Sequence, residues 1–218
     1  MYNIHIYSEK LEDDYGKQLL KYSNSILPND AIHLSTQYNF CRRYIPSIVM
    51  QLSVMFFLFC IGAKKISTYH IIVDTDMRFC FDTIVVGVIA FIISPWIHEI
   101  IHAVLYPKKY TKYIFRFKTK PMYLTYCNGI VSKRRMIIIL LGPFFSLGLV
   151  QFYLWYISCE LLPDTYKILI LMEVMYNIFI CVSDLGAALM IFREVPKEAK
   201  IIIYGEKIYY LISNLHQY

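Results

Sequence analysis

Long apolar runs alternate with short polar ones along this chain of 218 residues. Four runs match the roughly 20 apolar residues that a helix needs to cross hydrocarbon: 45–63, 83–106, 136–158 and 168–192. Tyr and Trp gather near several of their ends, as interfacial anchors do. The stretch 107–135 reads differently. YIFRFK (113–118) alternates in part, MYLTYC (122–127) is rich in β-formers, and Asn128-Gly129 separates it from Ile130-Val131. Asn-Gly between such runs signals a β-hairpin. In the first 40 residues, LEDDYGKQLLKYSNSILPND predicts a short helix ending near Pro28. The pattern therefore predicts an all-α integral membrane protein: four transmembrane helices, with a small cytoplasmic-face hairpin between the second and third. Residues 1–44 read as a cytoplasmic N-terminal segment, 45–192 as the helical domain and 193–218 as a cytoplasmic tail.

Composition agrees. Hydrophobic residues make up 57% and charged residues 17%, below the quarter or so usual for a soluble domain. Charge then orients the spans. The loop 107–135 holds Lys108, Lys109, Lys112, Arg116, Lys118, Lys120, Lys133, Arg134 and Arg135 and no acid. Arg42 and Arg43 precede the first span, and Arg193, Lys197, Lys200 and Lys207 follow the last. The other two loops are balanced or acidic. The positive-inside rule places both termini and the basic loop in the cytoplasm. The net charge of +6 is spread between spans, so no nucleic-acid partner is expected. The six cysteines form no CxxC pair, and no disulfide framework is expected. The N-terminus, MYNIHIYSEKLEDDYG, has no apolar core, so no cleavable signal peptide is expected.

Ionisable residues within apolar spans are costly, and they mark sites. The first and third spans have none. The second has His98, Glu99 and His102, and the fourth has Glu173 and Asp184. The second set reads HExxH. Histidines four apart share one helix face and can direct two ring nitrogens at one metal ion. Glu99, beside the first ligand, is placed to act as general base toward a water that zinc activates.

A catalytic zinc takes three protein ligands and keeps one position open. Depth selects Asp184 as the third. His98 and His102 lie eight and four residues from the cytoplasmic end of their span, and Asp184 lies eight from the end of its own. At 1.5 Å per residue, all three sit roughly 6 to 12 Å below the interface. Glu173 lies about 16 Å further along the axis, which suits helix pairing better. Asn177 and Ser183 are candidates to support a ligand or bind a substrate carbonyl, with helix bridging as the plain alternative. Gly142 and Pro143 fall at the same depth. There a proline frees a backbone carbonyl and a glycine admits a close helix, although a simple kink accounts for the pair equally well.

HEIIH in one span, GPFFS in the next and N-x5-SD in the last resemble the site-2-protease type of intramembrane zinc metalloprotease. More closely, they resemble the small bacterial HExxH zincin integral membrane peptidases. The resemblance covers residues 83–192 and implies zinc held by His98, His102 and Asp184 with Glu99 as base. It also implies a bacterial cytoplasmic membrane location and a membrane-associated polypeptide substrate. GPFFS has Ser146 where the family usually has Asn, and VSDLG departs from the NPxDG-like pattern. The basic β-rich loop is similar in position to the membrane-associated strands of such proteases, and a strand edge there would suit an extended peptide. The contrasting expectation is a non-catalytic membrane protein whose metal site is structural or empty and serves helix organisation or partner binding. The sequence does not give the oligomeric state.

Overall fold

The computed structural model describes residues 4–11, 15–23, 27–34, 40–68, 77–118, 122–205 and 207–212. Helices dominate it. After a short helix α1 (Gly16–Leu20) come α2 (Phe40–Ser67) and α3 (Met77–Leu105). A third long helix starts as α4 (Lys133–Pro143), passes through a π-helical stretch at Phe144–Val150 and continues as α5 (Gln151–Ser158). Among the described residues, three stretches are long and apolar enough to cross a membrane: Ile45–Ser67, Gly87–Leu105 and Lys133–Leu161.

The fourth apolar run is not one straight helix. It is α6 (Asp164–Ile180) and α7 (Val182–Glu194), bent by 42° at Cys181. At the bend the Cys181 N–H turns to the Ile178 carbonyl at 3.2 Å, and side-chain donors add to the backbone bonds. Gln51 Nε2 of α2 donates to the Ile178 carbonyl at 2.7 Å, and the Cys181 thiol donates to the Asn177 carbonyl at 3.1 Å. A break inside an apolar segment is tolerable when its backbone groups are satisfied in this way. The bend puts Asp184 in the first turn of α7, where the helix dipole favours a carboxylate.

The all-α expectation needs correcting, because the polar segments between and beyond the spans build two small sheets. The first has the order β1-β3-β4, from β1 (Ile4–Leu11), β3 (Lys112–Phe117) and β4 (Tyr123–Cys127). β1 runs parallel to β3, with Ile4 opposite Lys112 and Ile6 opposite Ile114, and β4 runs antiparallel to β3 with Thr125 opposite Ile114. The second sheet has the order β2-β7-β6-β5, from β2 (Ile32–His33), β5 (Val131–Ser132), β6 (Lys200–Tyr204) and β7 (Lys207–Leu211). The N-terminal segment and the tail thus join the basic loop.

The hairpin expected at Asn128-Gly129 is not there. β4 pairs backward with β3, while β5 pairs with β6 of the tail, so Asn-Gly links two sheets. Gly129 is needed for another reason: a Cβ there would lie 2.3 Å from the Tyr110 ring, over which the chain passes. The tight turn with positive φ falls instead at Gly205 (φ 61°), between β6 and β7. The helix expected to run toward Pro28 ends earlier, at Leu20.

Two basic loop residues cap spans. Arg135 Nε and Nη2 donate to the Leu105 carbonyl at 2.9 and 2.6 Å, and Lys133 Nζ donates to the Phe192 and Val195 carbonyls at 2.9 and 2.6 Å. Cations suit these carbonyl-rich helix ends. One core cluster joins α4 and α7 to the second sheet through Met136, Ile139, Met190, Ile191 and Ile201. Another lies among the helices, around Trp155, Val174, Ile178 and Leu185.

Candidate metal centre

On α3, the four-residue spacing of His98 and His102 turns both imidazoles to one side. Their Nε2 atoms are 3.1 Å apart. Asp184 Oδ2 comes from α7 to within 2.9 Å of His98 Nε2 and 3.3 Å of His102 Nε2. The side chains are 7%, 8% and 17% exposed, so little water reaches them. Each atom at this convergence carries a lone pair, and only a proton or a cation between them makes such spacing favourable. Tetrahedral zinc, with bonds of about 2.0–2.1 Å, sets ligand atoms about 3.3 Å apart. The observed triangle is within a few tenths of an ångström of that. Among the described residues this is a group of three that can hold a metal ion, the number usual for a catalytic zinc.

The second nitrogen of each ring meets a different neighbour. His102 Nδ1 lies 2.8 Å from the Ile139 carbonyl of α4. His98 Nδ1 faces Cys181 Sγ at 3.9 Å.

Glu99 points to the first sheet. Its Oε2 accepts the Thr125 backbone N–H at 2.7 Å, while the Thr125 hydroxyl donates to the Glu99 carbonyl at 2.7 Å. These two bonds clip the middle of β4 to the motif helix. The Phe117 N–H bonds the Met122 carbonyl, so by antiparallel alternation Tyr123 and Thr125 direct their backbone groups away from β3. β1 covers the far edge of β3, and β4 is the sheet's outer strand on the Glu99 side.

The remaining candidates separate. Asn177 is fully buried and donates to Gln151 Oε1 at 3.1 Å, tying α6 to α5, and its Oδ1 has no hydrogen-bond partner among the described residues. Ser183 is exposed and Asn177 bridges helices, so neither belongs to the triangle. Glu173 accepts the Ser94 hydroxyl at 3.3 Å and also stays apart from it. Gly142 sits where α3 and α4 touch: a Cβ there would lie 2.2 Å from Leu105 Cδ1 and 3.3 Å from Ile101 Cγ2. Pro143, next to it, is buried. Ser146 bonds back to the Gly142 carbonyl at 2.8 Å, within its own helix.

Sequence reasoning missed Thr125 and Ile139. Thr125 acts through its backbone N–H, and a backbone donor leaves no trace in residue type. For Ile139 there was a signal, a proline four residues later.

A family model described as "Putative zincin peptidase" matches residues 91–200. That stretch holds the two histidines, Glu99, Thr125, Ile139 and Asp184. No curated protein and no solved structure matches the chain. The family implies zinc and a metal-dependent peptidase, which suits the donor set at the triangle. Since the match spans half of the 218 residues, the chain belongs to this zincin peptidase family.

Proposed function

We propose that this protein is an integral-membrane zinc endopeptidase of the site-2-protease type that cuts membrane-associated polypeptides near the cytoplasmic face. The observation that carries the reading is the convergence of His98, His102 and Asp184 beside Glu99 on an apolar helix. His98, His102 and Asp184 would hold the metal. Bound zinc would supply an activated water and a Lewis acid for the scissile carbonyl.

The chain's own residues do the rest. Thr125 N–H fixes one oxygen of Glu99, leaving Oε1 to take a proton from the attacking water and deliver it to the departing amine nitrogen. Beyond the Thr125 clip, the outer edge of β4 at Tyr123 would hold an extended substrate segment by strand pairing beside that carboxylate. A helical substrate must unwind first, because helix hydrogen bonding occupies the scissile carbonyl. Membrane residence is supported by the three long apolar helices, the bent pair and outward Phe56, Phe57, Phe91 and Ile92. The positive-inside rule supports a cytoplasmic side for the basic loop and both termini, and the resemblance to bacterial peptidases supports a bacterial cytoplasmic membrane.

The test compares zinc content and cleavage for the wild type, Glu99→Gln and His98→Ala. The substrate is a membrane protein that accumulates uncut in a Glu99→Gln strain. Glu99→Gln should keep zinc and lose at least about 100-fold in turnover, and His98→Ala should lose both. Full turnover in Glu99→Gln would sink the reading.

A further inference from the structure

In a regular helix the Ile139 carbonyl would accept the N–H of residue 143. That residue is Pro143, which has none. The next N–H along belongs to Phe144 and goes to the Leu141 carbonyl. The Ile139 carbonyl therefore lacks its α-helical donor, and it is His102 Nδ1 that reaches it at 2.8 Å. The contact is enclosed, with Ile139 1% and His102 6% exposed.

A carbonyl only accepts. The bond thus requires the proton on Nδ1, so a neutral His102 ring turns the lone pair of Nε2 toward His98 Nε2 and Asp184 Oδ2. Gly142 allows the two helices to come this close, since a Cβ there would meet Leu105. His98 lacks an equivalent: its Nδ1 faces a thiol at 3.9 Å that is itself bonded to the Asn177 carbonyl.

We propose that Pro143 is a positioning residue for His102. By withholding a backbone N–H it reserves the Ile139 carbonyl for the imidazole, and so sets the tautomer and the aim of Nε2. The proposal rests on the reading of His102 as a metal ligand. It adds that this ligand is oriented by a missing helix hydrogen bond.

Pro143→Ala restores an N–H that competes for the Ile139 carbonyl. In metal-free, histidine-labelled protein at alkaline pH, where the ring is neutral, nitrogen NMR should show His102 as the Nδ1–H tautomer in the wild type and as a mixture in Pro143→Ala. Zinc affinity, measured by chelator competition, should fall about 10- to 100-fold in Pro143→Ala, the range for losing a histidine's outer hydrogen-bond partner. Pro46→Ala, which removes a proline inside α2, should leave both readouts unchanged. A backbone ester at 143, with neither ring nor N–H, should restore the wild-type spectrum and affinity. The proposal is overturned if Pro143→Ala leaves the His102 spectrum unchanged, or if the ester behaves like the alanine. Should Pro143→Ala not fold, the ester alone decides: a wild-type His102 spectrum and affinity support the proposal, and a mixed tautomer with weakened zinc binding overturns it. A wild type that binds no zinc refutes the metal reading, while the spectra still decide the role of Pro143.

Discussion

Replacing Gly142 with alanine tests the close approach of α3 and α4 at the metal centre. Two effects oppose each other. Alanine favours a helix interior over glycine by about 1 kcal/mol. Against that, the new methyl would lie 2.2 Å from Leu105 Cδ1 and 3.3 Å from Ile101 Cγ2, where carbon atoms prefer about 3.5–4.0 Å. Leu105 must swing aside or the helices must part, and overpacking of this kind costs about 1–3 kcal/mol. The two effects largely offset each other in the net change, whereas the coupling to Leu105 isolates the clash. In a Leu105→Ala background the main clash is gone, and Gly142→Ala should show its helix-propensity gain. The effect of Gly142→Ala should differ between the two backgrounds by about 1–3 kcal/mol, the range found for residues in contact. Thermal unfolding of the detergent-solubilised protein reads this as a difference of about 2–12 °C, using about 2–4 °C per kcal/mol for a chain of this size. Zinc affinity should fall in Gly142→Ala and recover in the double variant, because the His102–Ile139 bond lies one helical turn away. An identical effect of Gly142→Ala in both backgrounds would refute the claim that these helices meet at residue 142.

Two further outcomes are expected. Tyr123→Pro removes one outward N–H from β4 without touching its pairing to β3, so it should raise KM for an extended substrate and leave zinc content at the wild-type level; an unchanged KM would remove strand docking. Burial pushes the Cys127 thiol from 9.0 up to about 11, against smaller opposing effects of the Gly129 backbone and Lys112. The unfolded chain then loses that proton first as pH rises. The stabilising contribution is complete below about pH 9 and disappears as pH passes through 11. Cys127→Ala should flatten that part of the alkaline unfolding curve, and a curve of unchanged steepness would count against it.

The long apolar helices were legible because hydrophobicity sustained over about 20 residues is a direct signal in sequence. HExxH was legible because one helix contains all of its geometry. Naming Asp184 beside it took only span direction and a constant rise per residue. The sheets were harder. β1 pairs with a strand more than 100 residues away, and β5 pairs with the tail; no local pattern encodes such partners. Asn128-Gly129 misled because the usual turn signal was serving a ring contact with Tyr110. IIIYGEKIYYL, two β-forming runs around a glycine, carried a hairpin signal that the reading of 193–218 as a plain tail passed over. The bend at Cys181 was invisible because it contains neither Gly nor Pro. Tertiary partners hold it open.

One of those partners ties the family stretch to the helix before it. Gln51 lies in α2, outside the stretch that matches the family, yet it gives the Ile178 carbonyl a second donor, beside the Cys181 N–H, at the bend 127 residues later. A fragment restricted to 91–200 would contain every metal-binding candidate and still lack that second donor to its bent helix.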